Sequence, residues 1–226
     1  MQETMECAEF FGAQLNPEMP HREAAASAAM MLAGRATRWR RNEACDVVIA
    51  RGALACVLSG AVRKFALRPS GQRQIIDLVF AGDYVGFAPS DPAFFLEAVS
   101  NDTRIVSFTR EQIDKLIVRF PAIAALVQNC AGDAIRRLEH HLLVQSRITA
   151  REKVGAYLGA MARRVRPSGK TIVLPITRYD IADHLGIAVE TVSRTMTVLR
   201  CRGSIALKSP RDVEIRDPLM LSDTEY

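Results

Sequence analysis

Short apolar runs separated by turn residues fill the first part of the chain. Between Thr37 and Phe108, segments such as ACVLSG, AVRKFAL, RQIIDLVF and RIVSF are rich in Val, Ile and Phe, and glycines punctuate them. Turn signals at intervals of about 8–12 residues are typical of small antiparallel barrels and jelly rolls. We therefore predict an antiparallel β-barrel or jelly roll after an N-terminal helical segment, with RPSGQRQ as a hairpin turn between two strands.

After Phe108, apolar residues recur at three- and four-residue spacing, which is the helical pattern. Thr109 precedes one such segment, and Pro121 begins a second that runs for about 26 residues, long for a globular helix. A wide apolar stripe of this length favours packing against a second copy of itself, and the alternative is a helix buried only within its own chain. The stripe expected at the dimer interface consists of Val127, Ala131, Ala134, Leu138 and Leu142, widened by Ile135 and Leu143.

Two capping boxes organise the C-terminal part of the chain. Thr149 with Glu152 begins a new helix, and Thr177 with Asp180 begins another, because each pairs a hydroxyl with an acid three residues on. Gly186 ends the second of these helices, and a further helix follows at once. Two helices joined by a short glycine-containing turn predict a helix-turn-helix. The residues expected to face inward are Ile181, Ala182, Leu185, Val192, Met196 and Leu199.

Polar side chains occupy the outer face of the second helix of this motif. Glu190 and Arg194 are four residues apart and are therefore neighbours, and on an isolated helix they would be interpreted as a solvated ion pair. Here they lie in the N-terminal half, the part of a recognition helix that enters the major groove. Arg can bond guanine O6 and N7, and Glu can accept from cytosine N4. We predict that Glu190, Ser193 and Arg194 read DNA bases.

The charge of the C-terminal part also favours a polyanionic partner. Residues 148–226 hold 13 Lys and Arg against 9 Asp and Glu, a net charge of +4 out of +5 for the chain. SIALKSPRDVEIRD predicts a hairpin wing, with Lys208 and Arg211 near its tip and close to DNA phosphate. We also expect three further residues to contact the DNA backbone or to support the base-reading residues: Arg178, Thr191 and Thr197.

These patterns together resemble the Crp/Fnr family of bacterial transcription regulators over nearly the whole chain. ITRYDIADHLGIAVETVSRTM is similar to the family's helix-turn-helix pattern, and LSGAVRKFAL, GQRQIIDLVFAGDYVG and FTREQIDKLI resemble its sensor domain. The resemblance implies an α+β chain with a sensor-like β-barrel domain over 1–119, a dimerisation helix over 120–147 and a winged helix-turn-helix over 148–226. It also implies a homodimer that binds double-stranded DNA at an inverted repeat close to TTGA-N6-TCAA and contacts RNA polymerase.

One position of the motif departs from the family pattern. Residue 188 is Ala, where Ser or Thr often caps the recognition helix. The missing cap costs about 1 kcal/mol of local helix stability and leaves the base-reading residues in place.

Two effector classes of the family fit this sequence poorly. In the stretch that matches the cyclic-nucleotide cassette, Phe87 stands where Glu is expected, and Glu97-Ala98 stands about where Arg-Ser or Arg-Thr is expected. A carboxylate there would repel a cyclic phosphate, so we expect no binding of cAMP or cGMP. The five cysteines are scattered, and Cys7 alone lies near the N-terminus, so we expect no iron–sulfur cluster.

Haem would need an axial ligand such as histidine. His140 and His141 lie on the long helix and are expected to face solvent or the dimer seam, and His184 is expected on the exposed face of the first motif helix. We therefore predict no cofactor. In this respect the chain resembles the FixK-like branch of the family, and that resemblance implies a role in low-oxygen or nitrogen-fixation control. The alternative is an effector-dependent member, with haem or a small molecule in the barrel, that binds DNA only when liganded.

Cys201 lies between Arg200 and Arg202, just after the reading residues. Neighbouring cations favour the thiolate, which is the reactive form of cysteine. Oxidation to a sulfenate or sulfinate would place negative charge near DNA phosphate, which predicts a redox switch. The alternative is an inert thiol at the end of a helix.

The remaining signals concern location and enzyme activity. No apolar run reaches the length that spans a bilayer, and MQETMECAEFFG lacks the features of a signal peptide, so we expect a cytoplasmic protein without membrane contact. The chain contains no G-x-S-x-G, P-loop or H-E-x-x-H motif, and we expect no enzyme activity. A barrel whose helix-turn-helix contacts protein is the other alternative, and a strongly salt-dependent affinity for duplex DNA would separate the two.

Overall fold

The computed structural model describes residues 33–44, 54–86, 94–164, 171–174, 176–209 and 212–216. The chain divides into two compact units. One combines the chain up to Ala66 with Leu78–Arg136, and the other combines Leu67–Asp77 with the chain from Arg137 onward. The division therefore does not follow the chain in two consecutive blocks, and the domain boundaries proposed from the sequence stay predictions.

Seven antiparallel strands form two sheets in the first part of the described chain. The larger sheet has the order β1-β7-β2-β5, and the smaller has the order β4-β3-β6. The predicted antiparallel architecture is confirmed, with two open sheets among the described residues in place of a closed barrel. The strands are β1 (Arg35–Trp39), β2 (Leu54–Ser59), β3 (Ala61–Leu67), β4 (Arg73–Phe80), β5 (Tyr84–Gly86), β6 (Phe95–Ala98) and β7 (Thr103–Phe108).

The segments AVRKFAL and RQIIDLVF coincide with β3 and β4, and the tight turn between them follows from its sequence. The amide of Arg68 donates to the carbonyl of Gln72 at 2.9 Å, and the amide of Gly71 donates to the carbonyl of Arg68 at 2.8 Å. Gly71 has φ 78°, a left-handed conformation that glycine adopts without steric penalty. The predicted hairpin turn is confirmed.

Five helices follow the strands in the described chain, and Thr109 begins the first with a capping box to Gln112. Their ranges are α1 (Arg110–Arg119), α2 (Ala122–Gln145), α3 (Ala150–Arg164), α4 (Arg178–Leu185) and α5 (Val189–Cys201). Thr149 and Glu152 form the predicted capping box before α3, with both hydrogen bonds at 3.2 Å. None of these described helices combines the length and the apolar character that crossing a membrane requires.

The core of the first unit joins the larger sheet to α1 and the start of α2. Burying an aliphatic side chain in such a cluster contributes about 1.5–3 kcal/mol. Val127 of α2 packs against this core. Its buried members are Leu54, Cys56, Leu58, Tyr84, Val106, Phe108, Ile113, Ile123 and Cys130.

The C-terminal half of α2 has a different character, because large apolar side chains remain exposed on it. Ala131 and Ala134 are partly buried. Leu138 is 41% exposed and Leu142 is 67% exposed, and their neighbours Ile135 and Leu143 are more than half exposed. The stripe predicted at a dimer interface is thus covered at its start and uncovered over its last two turns.

A second small sheet completes the C-terminal part. It has the order β8-β10-β9, formed by β8 (Thr171–Val173), β9 (Ile205–Leu207) and β10 (Asp212–Ile215). Val213 pairs with Leu207 and Ile215 pairs with Ile205, which confirms the predicted wing hairpin.

Candidate nucleic-acid interface

The helix-turn-helix begins with the capping box that the sequence predicts. The hydroxyl of Thr177 accepts from the amide of Asp180 at 3.2 Å, and a carboxylate oxygen of Asp180 accepts from the amide of Thr177 at 3.0 Å. Asp180 is buried. At the other end of α4, Gly186 has φ 63° and its amide donates back to the carbonyl of Ala182. Both ends of α4 therefore form as expected from the local sequence.

Apolar side chains lock α4 and α5 together through their inner faces. All six residues predicted to face inward are at most 4% exposed, and Val192 and Met196 have no exposed surface. Because α4 and α5 share this core and a short turn, a rotation of one helix carries the other with it. The buried residues are Ile181, Ala182, Leu185, Val192, Met196 and Leu199.

The outer face of α5 carries the predicted reading residues. Glu190, Arg194 and Thr197 are exposed, and Thr191 and Ser193 are partly buried. The hydroxyl of Thr197 donates to the carbonyl of Ser193 at 3.0 Å, so its hydrogen is used within the helix. Only the acceptor side of that hydroxyl remains for a partner.

Glu190 and Arg194 lie on the same face and do not bind each other. Among the described residues, neither the carboxylate of Glu190 nor the guanidinium of Arg194 makes a hydrogen bond or an ion pair. The alternative in which the two residues form an ion pair on a solvated helix is therefore not realised. Two groups of opposite charge are left with their full hydrogen-bonding capacity on an exposed helix face.

Arg178 connects the start of α4 to the reading face. Its Nη1 donates to the hydroxyl of Ser193 at 3.4 Å. Its Nε is buried and finds no hydrogen-bond acceptor in the described part of the chain. Since the hydroxyl of Ser193 accepts from Arg178, it keeps its own hydrogen for donation to an acceptor outside the helix.

The wing contributes one predicted residue that can be described. Lys208 is exposed just after β9, and its Nζ lies 3.6 Å from a carboxylate oxygen of Glu214. An exposed ion pair of this length contributes little to stability, so the ammonium can exchange that partner for a phosphate. Arg211 lies outside the described residues.

Cys201 ends α5, and its free thiol is exposed. The flanking Arg200 and Arg202 are exposed as well. The thiol and the two cations next to it in the sequence are therefore all accessible to solvent.

The other end of α4 holds polar contacts that the sequence did not reveal. Asp183 accepts two hydrogen bonds from Arg73 of β4, at 2.9 and 2.8 Å, although the two residues are 110 positions apart. All of these atoms belong to the second unit. No local motif marks either residue, so only the fold could show the pairing.

The expectation that His184 lies on an exposed face is wrong. His184 is partly buried, and its Nε2 lies 3.0 Å from Nδ1 of His141. The ring also meets Tyr157 edge-on, with centroids 5.8 Å apart. Burial, with a smaller contribution from neighbouring His141, lowers the pKa of His184 to about 3. The prediction treated α4 as a helix with one covered side, whereas side chains from α2 and α3 cover a second side.

Glu97, the carboxylate that we expected to repel a cyclic phosphate, is paired in the structure. Arg63 of β3 holds this carboxylate through its Nε at 3.0 Å and its Nη2 at 2.9 Å, and Arg63 is only 6% exposed. The carboxylate is therefore neutralised by a buried guanidinium, and its repulsion of a phosphate is weaker than the sequence argument assumed. Phe87, the other residue of that argument, lies outside the described residues.

Comparison with known proteins gives consistent results for sequence and structure. Residues 152–224 match the family model of the Crp-like helix-turn-helix domain. The chain is 36% identical over 163 residues to FixK of Rhizobium meliloti strain 1021, a nitrogen fixation regulation protein, covering 72% of this chain and 73% of that protein. It is 36% identical over 168 residues to FixK of Azorhizobium caulinodans, covering 71% of this chain and 66% of that protein.

The solved structures extend this similarity to most of the chain. FixK2 from Bradyrhizobium japonicum superposes with a TM-score of 0.75 at 27% identity, over 85% of this chain and 98% of that one. A mutant of CooA from Carboxydothermus hydrogenoformans has a TM-score of 0.71 at 20% identity, over 86% of this chain and 89% of that one, which shows a shared fold.

Proposed function

Because the chain belongs to the Crp/Fnr family of transcription regulators and is FixK-like, we propose that it binds, as a homodimer, an inverted repeat close to TTGA-N6-TCAA. The family consists of DNA-binding transcription regulators and not of enzymes, and this chain is a DNA-binding transcription regulator.

The observation that carries the proposal is the state of Glu190 and Arg194. Both are exposed on α5, four residues apart, with no hydrogen-bond or ion-pair partner in the described chain. An acid and a guanidinium so placed can bind a cytosine amino group and the O6 and N7 of a guanine. A TTGA half-site offers both, since its G·C pair presents guanine on one strand and cytosine on the other.

The remaining predicted residues would position the helix without reading sequence. Arg178, Thr191 and Thr197 flank the reading residues. Ser193 belongs with Glu190 and Arg194 as a base-reading residue, because its hydroxyl keeps a hydrogen for a base edge. Lys208 at the wing would contact phosphate. Arg211, from the same hairpin, is assigned this role on the sequence alone.

The exposed apolar face of α2 supports the homodimer. An inverted repeat requires two reading helices related by a two-fold axis, and a self-complementary surface provides that symmetry. Leu138, Leu142, Ile135 and Leu143 would bury their exposed surface against the same residues of a second copy. Val127, Ala131 and Ala134 belong to the same stripe and would continue the interface.

The proposed setting follows from the relatives. The two matched FixK proteins are named as nitrogen fixation regulators, and we infer that this chain regulates genes of nitrogen fixation or low-oxygen growth. As an activator it would contact RNA polymerase, and it would act in the cytoplasm, where both polymerase and DNA are found. We infer that it needs no cofactor to bind DNA.

A salt titration of DNA binding tests the proposal. The purified, reduced chain without additives is titrated against a TTGA-N6-TCAA duplex and a scrambled duplex, and anisotropy is measured at several salt concentrations. We expect selective binding and a steep fall of affinity with salt, because phosphate contacts release counterions. Lys208→Ala should reduce that salt slope by about one and leave the selectivity unchanged. Weak binding without selectivity would contradict the proposal and favour an effector-dependent regulator.

Cys201 supports a redox control of the same interface. Hydrogen peroxide would convert its thiolate to a sulfenate with release of water, and the new negative oxygen would lie at the end of α5, which we propose faces DNA phosphate. We expect peroxide to weaken DNA binding by the wild-type chain and to leave Cys201→Ser unaffected. Equal sensitivity of the two proteins would show that the thiol is inert.

A further inference from the structure

The C-terminal end of α4 is held by side chains that come from outside the helix-turn-helix. The guanidinium of Arg73 donates to Asp183 through Nε at 2.9 Å and Nη2 at 2.8 Å. The same Nη2 lies 3.7 Å from Asp180, a buried carboxylate. Side chains of Arg73 and Asp183 are about one quarter exposed, so the pair is only partly screened by water.

Two amides complete this arrangement. The Nε2 of Gln74 donates to the carbonyl of Asp183 at 2.8 Å, and the Nε2 of Gln145 donates to the carbonyl of His184 at 2.7 Å. The last carbonyls of a helix have no partner within the helix, and they carry its negative dipole end. These two side chains satisfy carbonyls that the helix itself leaves open, while Arg73 adds a positive charge at the same end.

The end of α4 is connected rigidly to the face of α5 that carries Glu190 and Arg194. Only Gly186, Ile187 and Ala188 separate α4 from α5, and the two helices share a core in which Leu185, Val192 and Met196 are completely buried. A packed core of this kind does not deform continuously. Whatever fixes the end of α4 therefore fixes the direction in which Glu190 and Arg194 point.

We propose that Arg73 is a positioning residue for DNA reading, which holds α4 through Asp183 and thereby orients α5. Gln74 acts with it through the carbonyl of Asp183. The inference rests on the proposed function, because it assigns Arg73 a role in selective binding. It makes the start of β4 an element whose position controls how well the recognition helix discriminates between sequences.

Arg73→Gln tests this role, with Arg110→Gln as the matched control. Both changes remove one guanidinium, but Arg110 is exposed, and its one partner among the described residues is Asp114, four positions away in the first unit. Dissociation constants for the TTGA-N6-TCAA duplex and the scrambled duplex are measured by anisotropy well below the unfolding temperature. We define the selectivity ratio as the dissociation constant for the scrambled duplex divided by that for the TTGA-N6-TCAA duplex. We expect this ratio to fall about tenfold in Arg73→Gln, which is within the usual range of coupling between sites. Arg110→Gln should keep the wild-type ratio.

The ratio separates a positioning role from a structural one. A variant that is merely less stable loses affinity for both duplexes alike, and its ratio stays unchanged. Loss of orientation affects the selective complex alone, because phosphate contacts do not depend on base sequence. The affinity for the scrambled duplex should therefore stay within about twofold between Arg73→Gln and Arg110→Gln, since both have lost one charge.

Two further variants keep the test decisive if Arg73→Gln folds poorly. Asp183→Asn retains the shape of the side chain and removes its charge, and we expect the same loss of ratio. Arg73→Lys keeps the positive charge beside Asp183 and Asp180, and it should retain at least threefold more of the ratio than Arg73→Gln. A wild-type ratio in both Arg73→Gln and Asp183→Asn would overturn the inference and leave the proposed function intact. A wild-type chain that does not discriminate between the duplexes would overturn both.

Discussion

The two helices of the helix-turn-helix use their polar residues in opposite ways. In α4, Asp180 closes a capping box, Asp183 binds Arg73, and His184 packs against His141. In α5, the first turn begins at Ala188 without a side-chain cap, and Glu190 and Arg194 have no partner in the described chain. Satisfied polar groups stabilise a structure, whereas exposed unpaired ones remain available for a ligand. We therefore expect α4 to stabilise the motif and α5 to recognise DNA.

The largest expected effect comes from the recognition side of this comparison. Arg194→Ala should weaken binding to the TTGA-N6-TCAA duplex by about 1–3 kcal/mol, because a bidentate contact to guanine is lost. Glu190→Ala should have an effect of similar size. Neither change should alter the urea midpoint of unfolding by a measurable amount, since neither side chain has a partner among the described residues. Anisotropy titration and urea unfolding of the same preparations check both statements.

Arg110→Ala serves as the control for these titrations, since it removes another exposed guanidinium, from α1. It should leave the preference for the inverted repeat unchanged. If Arg194→Ala kept full affinity and preference, the assignment of α5 as the reading helix would be wrong.

The next effect concerns stability and tests the other helix. Asp180→Ala removes the acceptor of the Thr177 amide and a buried charge that lies 3.7 Å from Arg73. We expect a loss of about 2 kcal/mol in the free energy of unfolding, at the upper end for a helix cap. Asp114→Ala, which breaks an exposed pair on α1, should cost at most about 0.5 kcal/mol. Equal losses in the two variants would refute the view that α4 carries the stability of the motif.

A pH dependence should follow from the pair that His184 of α4 forms with His141 of α2. Burial lowers the pKa of His184 to about 3, from an ordinary value of 6.5, and burial also lowers the pKa of His141. Between those pH values the unfolded chain binds a proton at residue 184 that the folded chain does not. Stability is therefore fully present above pH 6.5 and falls as the pH is lowered through that value. Asp77 opposes this shift at His141, whereas His140 and Arg164 act in the same direction as burial.

Urea unfolding at pH 7.5 and pH 5.5 measures this effect. The wild-type chain should lose about 1 kcal/mol more than His184→Gln between the two pH values. Because the variant keeps every other titrating group, the difference isolates residue 184. A variant with the same loss as the wild-type chain would show that His184 does not titrate in this way.

Local sequence signals are sufficient to predict most of the helix-turn-helix. The capping pair Thr177–Asp180, the left-handed Gly186 and the helical spacing of Val192, Met196 and Leu199 each act within a few residues, and each is confirmed. The strands β3 and β4 were predicted for the same reason, since their apolar runs end at clear turn residues. Signals of this kind need no knowledge of the rest of the fold.

Contacts between distant segments could not be predicted. The Arg73–Asp183 pair joins positions 110 apart, and nothing in either segment specifies the other as its partner. The burial of His184 could not be predicted for the same reason, because the side chains that cover it come from α2 and α3. The short strand β6 was not distinguished, although it carries Glu97, whose buried partner Arg63 is 34 positions away.

The smallest expected effect comes from giving α5 a side-chain cap, which α4 has and α5 lacks. Ala188 has the extended conformation of a cap residue, with φ −66° and ψ 145°, but no side chain that can accept a hydrogen bond. Ala188→Ser would supply a hydroxyl acceptor for an amide of the first turn, and we expect a gain of about 1 kcal/mol in the free energy of unfolding. Ala188→Val, which lacks the hydroxyl, should give no gain. Binding to the TTGA-N6-TCAA duplex should stay within about twofold in the serine variant, because the reading side chains keep their place on the helix. A stabilised variant with impaired binding would instead show that the open amides of α5 bind DNA, and that recognition in this helix depends on its missing cap.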